Sequence, residues 1–193
     1  MIRSILVPLD GSAFGEAALP TAQALAEHMG ATLHLAHVHV PLFSGYVDGV
    51  AILDEELDAA DRAQEHAYLH AVAQRLVTAG TPAPSRTILD GPVAATLTAY
   101  ATAINADLVV MTTHGRGGFA RFWLGSVADS FVRHSHVPVL LLHPSGSPAA
   151  PQPIAPHPLR KICITLDGSP LAEQILAPAL ALGAGNAAEY TLL

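Results

Sequence analysis

The chain has 193 residues, 51% of them hydrophobic, and 16 acidic against 9 basic side chains give a formal net charge of -7. That length suits one ordinary domain with an addition, or two small ones. Although mean hydropathy is positive, no stretch approaches the roughly 18 uninterrupted apolar residues of a membrane span. The scattered Lys and Arg exclude a broad basic face, so neither nucleic acid nor membrane is expected as a partner.

The opening MIRSILVPLDGS lacks the long apolar region and small-residue cleavage site of a secretory signal. Cys163 is the one cysteine, so no intrachain disulfide forms, and a cytoplasmic location is the expectation.

In chain order, RSILVPL (3–9) reads as a short buried strand, and Asp10-Gly11-Ser12 turns the chain and caps the next element. An alanine-rich helix over 13–29 stops at Gly30, and ATLHLAHVHV (31–40) is a second strand ending before Pro41. A loop holding Gly45 and Gly49 leads to a long helix, 54–78. Leu53, Leu57, Ala60, Ala67 and Ala71 recur there at steps of three, four or seven and mark its apolar face. SRTILD (85–90) is a third strand, 93–104 a third helix, ADLVVMT (106–112) a fourth strand, 125–134 a fourth helix and VPVLLLH (137–143) a fifth strand.

Strands separated by helices pair in parallel through right-handed crossovers. The expected fold class is therefore α/β, an open, mostly parallel five-stranded sheet with helices on both faces. Continuous apolar runs such as DLVVM and VPVLLL suit strands covered on both sides. Ligands in such sheets sit beyond the carboxyl ends of the strands, where Asp10-Gly11-Ser12 and the stretch MTTHGRGGFARFWLGS (111–126) both lie. VPVLLLH, last in the series, is expected at an edge that invites pairing.

PSGSPAAPQPIAPHP (144–158) is too rich in proline for a helix or a central strand and reads as an extended linker after a domain over 1–143. Beyond it, RKICITLDGSPLAEQIL repeats RSILVPLDGSAFGEAAL at one constant offset. Arg160 matches Arg3, Ile162 matches Ile5, and Leu166-Asp167-Gly168-Ser169 match Leu9-Asp10-Gly11-Ser12. The copy, 159–193, holds one strand, one helix and the opening of another strand, and nothing corresponding to 111–126.

Backbone N–H groups of a glycine-rich turn converge on an anion, and the N-terminus of the helix at Gly125-Ser126 adds its positive dipole end. Ser126 offers a hydroxyl and an N–H, Gly115, Gly117 and Gly118 permit close approach, and Arg116 or Arg121 supplies charge. The alternative is a mobile turn with Ser126 as a plain N-cap. No GxxxxGK[ST] occurs, and no GxGxxG joins the first strand to its helix. Asp10 has two readings, a helix cap or an acceptor for ribose hydroxyls.

ILVPLDGS, LAHVHV and above all DLVVMTTHGRGGFARFWLGSVADSFVRHSHVPVLLL resemble the universal stress protein family, across residues 1–143. Its nucleotide-binding members carry Gly, two residues, Gly, nine residues, Gly, then Ser or Thr. Here Thr112 stands at the first glycine, Gly115 and Gly125 at the others, and Ser126 last. The resemblance implies a Rossmann-like fold similar to the adenine-nucleotide alpha-hydrolases and an ATP site, with AMP or ADP as alternatives and Mg2+ alongside. It implies Asp10 on the ribose, main-chain groups of Val38 on the adenine, and phosphates on Gly115, Arg116, Gly125, Ser126 and Val127. Pro8, Leu9 and Met111 would line the pocket, and Thr112 would lie close to the phosphates. It further implies a stress-response regulator that forms a homodimer through strand 137–143, and a tandem member whose second repeat, 159–193, is incomplete.

No nucleophile, base and orienting residue assemble from the sequence, so binding is expected rather than dedicated catalysis, with at most slow ATP hydrolysis aided by a divalent ion. A nucleotide-free dimeric interaction module is the alternative, with Thr112 in its favour. An adenylating ligase is disfavoured, because the first strand carries no pyrophosphatase-type glycine–serine loop. Among 11 histidines, His66 and His70 are four apart on a helix and His37 and His39 share a strand face. Neither pair has a carboxylate or cysteine at ligand spacing, so no metal site is expected. His114 either touches phosphate or hydrogen-bonds the turn, and Phe122 and Trp123 read as packing residues.

Overall fold

A computed structural model describes residues 2–41, 43–47, 50–113, 124–144, 146–147, 150–151, 159–184 and 188–193. Strands β1 (Ser4–Pro8), β2 (Thr32–His39), β5 (Ser85–Asp90), β6 (Leu108–Thr112) and β7 (Val139–Leu142) form one sheet in the order β5-β2-β1-β6-β7, with every pair parallel. The chain moves outward from β1 in one direction through β2 and β5, then returns to β6 and leaves in the other direction through β7. The reversal falls between β1 and β6. Asp107 pins this junction at its amino end, its Oδ2 accepting the N–H groups of Arg3 (2.7 Å) and Ser4 (3.1 Å).

Both sheet faces are covered, as expected for parallel strands with apolar runs. On one face Ile5, Val7, Leu33, Leu35, Leu108 and Val110 pack against α2 (Leu19–Met29) and α3 (Glu55–Thr78). On the other, Leu6, Val38, Val109 and Met111 pack against Leu97 of α4 (Val93–Ala103) and Phe131 of α5 (Ser126–His134). Phe131, Ile5, Leu6 and Leu35 are fully buried.

Three expectations are corrected. The helix over 13–29 is two: α1 (Ala13–Glu16) and α2, joined by the tight bonds from Ala17 N to Phe14 O and Ala18 N to Gly15 O. Pro20, in the first turn of α2, has no N–H to continue an earlier helix. The stretch holding Gly45 and Gly49 contains a hairpin, β3 (Phe43–Val47) paired antiparallel with β4 (Val50–Leu53). Its signal was Asp48-Gly49 between two short apolar runs.

In α3 the inner face is Asp58, Glu65, Leu69, Val72, Ala73 and Leu76, whereas Leu57, Ala60, Ala67 and Ala71 are exposed. The apolar periodicity misled because two carboxylates occupy buried positions, paired to histidines of β2.

Two-residue strands β8 (Gly146–Ser147) and β9 (Ala150–Pro151) pair antiparallel. Then β10 (Lys161–Ile164), a 3-10 turn (Ala172–Ile175), α6 (Leu176–Gly183) and β11 (Glu189–Leu192) form a unit in which β10 and β11 are parallel. Its α6 reaches the first unit, where His28 Nε2 meets Ala184 O at 2.7 Å.

Candidate functional site

Where a parallel sheet reverses its strand order, the loops beyond the two central strands diverge and leave a crevice. Here those strands are β1 and β6. After β1, Leu9 is buried and its N–H donates to Ala36 O at 2.8 Å, while Pro8 and Asp10 are half-buried. Gly11 turns the chain with φ +79°, a backbone state that favours glycine. Asp10 Oδ1 accepts the Ser12 N–H (3.0 Å) and hydroxyl (2.7 Å), and Ser12 Oγ accepts the Gly15 N–H (3.0 Å).

The helix cap is therefore Ser12, and Asp10 orients it; the cap reading of Asp10 is corrected. Gly15 is what admits the carboxylate, since a Cβ there would stand 2.6 Å from Asp10 Oδ1.

After β6, Met111, Thr112 and Thr113 are buried. Thr112 ends the strand on the face of Leu108 and Val110, paired with Leu142 of β7. Thr113 is held through its N–H to Leu142 O (2.9 Å), and its hydroxyl meets His143 Nδ1 at 2.9 Å. Gly125 N–H donates to Thr113 O at 2.6 Å, which brings the start of α5 to the end of β6. The N-cap of α5 is Gly125, not Ser126, and no side chain caps it. The first-turn N–H groups of Ser126 and Val127 therefore have no side-chain acceptor from the cap, the state in which a helix N-terminus receives an anion.

Val38, buried in β2 with its side chain against the α4–α5 layer, pairs with Leu89 of β5. The structure thus brings Asp10, Gly125, Ser126 and Val127 to the two loops flanking one reversal point, with Pro8, Leu9, Met111 and Thr112 at the strand ends below. Gly115, Arg116, His114, Phe122 and Trp123 lie outside the described residues.

One constellation escaped the sequence reading. His37 and His39 flank Val38 and face α3, where both have carboxylate partners, contrary to expectation. His37 donates Nδ1–H to the Leu9 carbonyl (2.8 Å), and its Nε2 meets Glu65 Oε1 at 3.0 Å. His39, wholly buried, meets Glu65 Oε2 through Nδ1 (3.0 Å) and Asp58 Oδ1 through Nε2 (2.9 Å).

Burial pulls the His39 pKa down, but hydrogen bonds to Asp58 and Glu65 and the Glu65 charge outweigh it, so it lies above the ordinary value. Arg62 bridges Asp58 (3.1 Å) and Asp90 (2.6 Å) and holds the Asp90 carboxyl below the usual range. The findable signal was Asp58 and Glu65 seven apart on one helix face, opposite a His-x-His strand.

The universal stress protein family model matches residues 1–143. A universal stress protein of Thermus aquaticus is 30% identical over 144 residues, 74% of this chain and 99% of that protein. Universal stress protein MT2052 of Mycobacterium tuberculosis is 30% identical over 180 residues, and the match spans 86% of this chain but only 54% of that relative. Among solved structures, a universal stress protein in complex with cAMP matches 74% of this chain and 97% of its own, at TM-score 0.56 and 25% identity. With the doubly covered parallel sheet and the Asp10 and Gly125-Ser126 loops in place, these matches agree: the chain belongs to the universal stress protein family.

Proposed function

We propose that residues 1–143 bind an adenine nucleotide, ATP in preference to AMP or ADP, at the crevice between the carboxyl ends of β1 and β6. The observation that carries the reading is the pairing of an oriented carboxylate, Asp10, with a helix N-terminus lacking a side-chain cap, at Gly125-Ser126, on loops flanking the same reversal point.

In this reading Asp10 accepts ribose hydroxyls and the main chain of Val38 meets the adenine. Pro8, Leu9 and Met111 form the floor. Phosphates lie on the N–H groups of Gly125, Ser126 and Val127, with Gly115 and Arg116 contributing from the preceding stretch and Mg2+ balancing charge. Thr112, buried at the end of the strand, stands where the family pattern has glycine. The cAMP-bound relative supports the adenosine end of the reading. In this reading occupancy rather than turnover is the signal this protein supplies to stress-response regulation.

Residues 159–193 are read as the opening of a second repeat without a phosphate cradle, and β7, at the sheet edge, as the strand through which two copies pair in a homodimer. The expected stoichiometry is one nucleotide per chain. Calorimetry with Mg2+ and ATP tests it: Asp10→Ala should weaken ATP and AMP alike by about tenfold or more, roughly 1.4 kcal/mol, while Asp167→Ala changes neither. Two equivalents of ATP per chain, or an Asp10→Ala protein that binds AMP as before, would overturn the reading. Light scattering that gives a monomer at micromolar concentration would remove the dimer.

A further inference from the structure

The histidine and carboxylate cluster between β2 and α3 has no part in holding phosphates, and its charges are out of balance. Asp58, Asp61, Glu65 and Asp90 are four carboxylates, and Arg62 is committed to Asp58 and Asp90. Glu65 and Asp61, one helical turn apart on α3, are left facing histidine. One ligand atom each from His39, Asp61 and Glu65 lies within 4.8 Å of the other two. Two carboxylates brought this close repel unless a cation stands between them.

The surroundings are those of a metal-binding imidazole. His39 gives Nε2–H to Asp58, a carboxylate that fixes the ring and its tautomer, so Nδ1 is the nitrogen turned toward Glu65. Glu65 is fixed in turn, because His37 occupies its Oε1 and leaves Oε2 toward His39. His37 is itself anchored on the Leu9 carbonyl.

Around a tetrahedral ion with bonds of about 2.0–2.2 Å, ligand atoms stand roughly 3.3 Å apart. The 3.0 Å between His39 Nδ1 and Glu65 Oε2 is close to that already. Asp61 is half-buried, whereas His39 and Glu65 are buried. A cation would therefore enter from the Asp61 side.

We propose that His39, through Nδ1, together with Asp61 and Glu65 binds one divalent cation of the zinc class. The fourth position is open to water, and Asp58 and His37 act as positioning residues. One imidazole with two carboxylates suits borderline cations such as Zn2+, whereas Mg2+ favours all-oxygen surroundings. Binding breaks the Nδ1–H bond of His39, sends that proton to solvent and forms the metal–nitrogen bond in its place. The site is separate from any Mg2+ on nucleotide phosphates, and it clamps the residues on both sides of Val38.

The test is Zn2+ calorimetry on the chelator-treated full chain without nucleotide, which keeps it independent of ATP binding. One equivalent should bind, Asp61→Asn should weaken it at least about tenfold, and His66→Ala/His70→Ala, which removes the exposed pair on the same helix, should leave it unchanged. A matching rise in Tm with Zn2+ should appear in the parent and be lost in Asp61→Asn, whose melting without metal shows that it folds. No binding, binding indifferent to Asp61→Asn, or binding lost with His66 and His70 would each overturn the assignment.

Discussion

The units β1–α1–α2–β2 and β10–α6–β11 begin from nearly the same words, LDGSAFGE and LDGSPLAE, and build the same turn. Gly11 and Gly168 have φ of +79° and +80°. Asp10 Oδ1 accepts the Ser12 N–H at 3.0 Å, and Asp167 Oδ1 accepts the Ser169 N–H at 2.8 Å. Ser12 caps Gly15 N and Ser169 caps Ala172 N. Even the strand register recurs, with Ser4 opposite Thr32 and Lys161 opposite Glu189.

Burial is where they part. Ile5, Leu6 and Val7 are all fully buried, whereas among their counterparts Ile162 is half-buried, Cys163 exposed and Ile164 buried. Among the described residues, the first unit is covered by helices on both faces and the second by α6 on one. Short-range hydrogen bonding is thus set by the local motif, while burial depends on what packs beyond it.

The largest effect expected from this contrast is at a matched leucine pair. Leu35 is wholly buried and Leu192, its counterpart, is 60% exposed. Leu35→Ala should cost about 2–5 kcal/mol and Leu192→Ala within about 0.5 kcal/mol in urea unfolding. Similar losses for both would mean that β11 is covered after all.

A middle-sized effect tests how the second unit packs its one covered face. A Cβ on Gly183 would strike Tyr190 Oη and lie 2.8 Å from Ala188 Cβ and 2.9 Å from Ile162 Cδ1, where the first unit has Ala26 and the smaller Leu33. Gly183→Ala should destabilise by about 1–3 kcal/mol, seen as faster amide exchange in β10 and β11 with β1 and β2 unaffected. Adding Tyr190→Leu should restore protection; failure to do so would discredit the compensating pair.

Smaller in stability, but informative for binding, is Gly15→Ala, which copies Ala172 into the first unit. It should displace the Asp10 carboxylate and lower ATP affinity several-fold, with a stability change of no more than about 1 kcal/mol. The reverse change, Ala172→Gly, should leave ATP binding as it is. Unchanged affinity in Gly15→Ala would detach Asp10 from the nucleotide. Smallest of all, Ser169→Ala should cost less than the ~1 kcal/mol of Ser12→Ala, because the turn closed by its bond from the Ala172 N–H is mostly exposed.

Much of this protein is determined by sequence alone, because the signals are short-range. Apolar runs such as DLVVM fix strands, Gly30 ends α2 in the left-handed state with φ +65°, and the helix–strand alternation fixes a parallel α/β sheet. Asp10 and Gly125-Ser126 could be placed at strand ends from order alone. Tertiary structure decided the rest. Apolar periodicity picked the wrong face of α3, since Asp58 and Glu65 enter the core only because His37 and His39 meet them from β2, and no local rule anticipates a buried charge whose partner lies three elements away. Likewise Ser12, not Asp10, became the cap once Gly15 let the carboxylate close on the turn. A propensity or a periodicity belongs to one segment, whereas burial and pairing energy belong to two segments at once and take a value only when the fold brings them together.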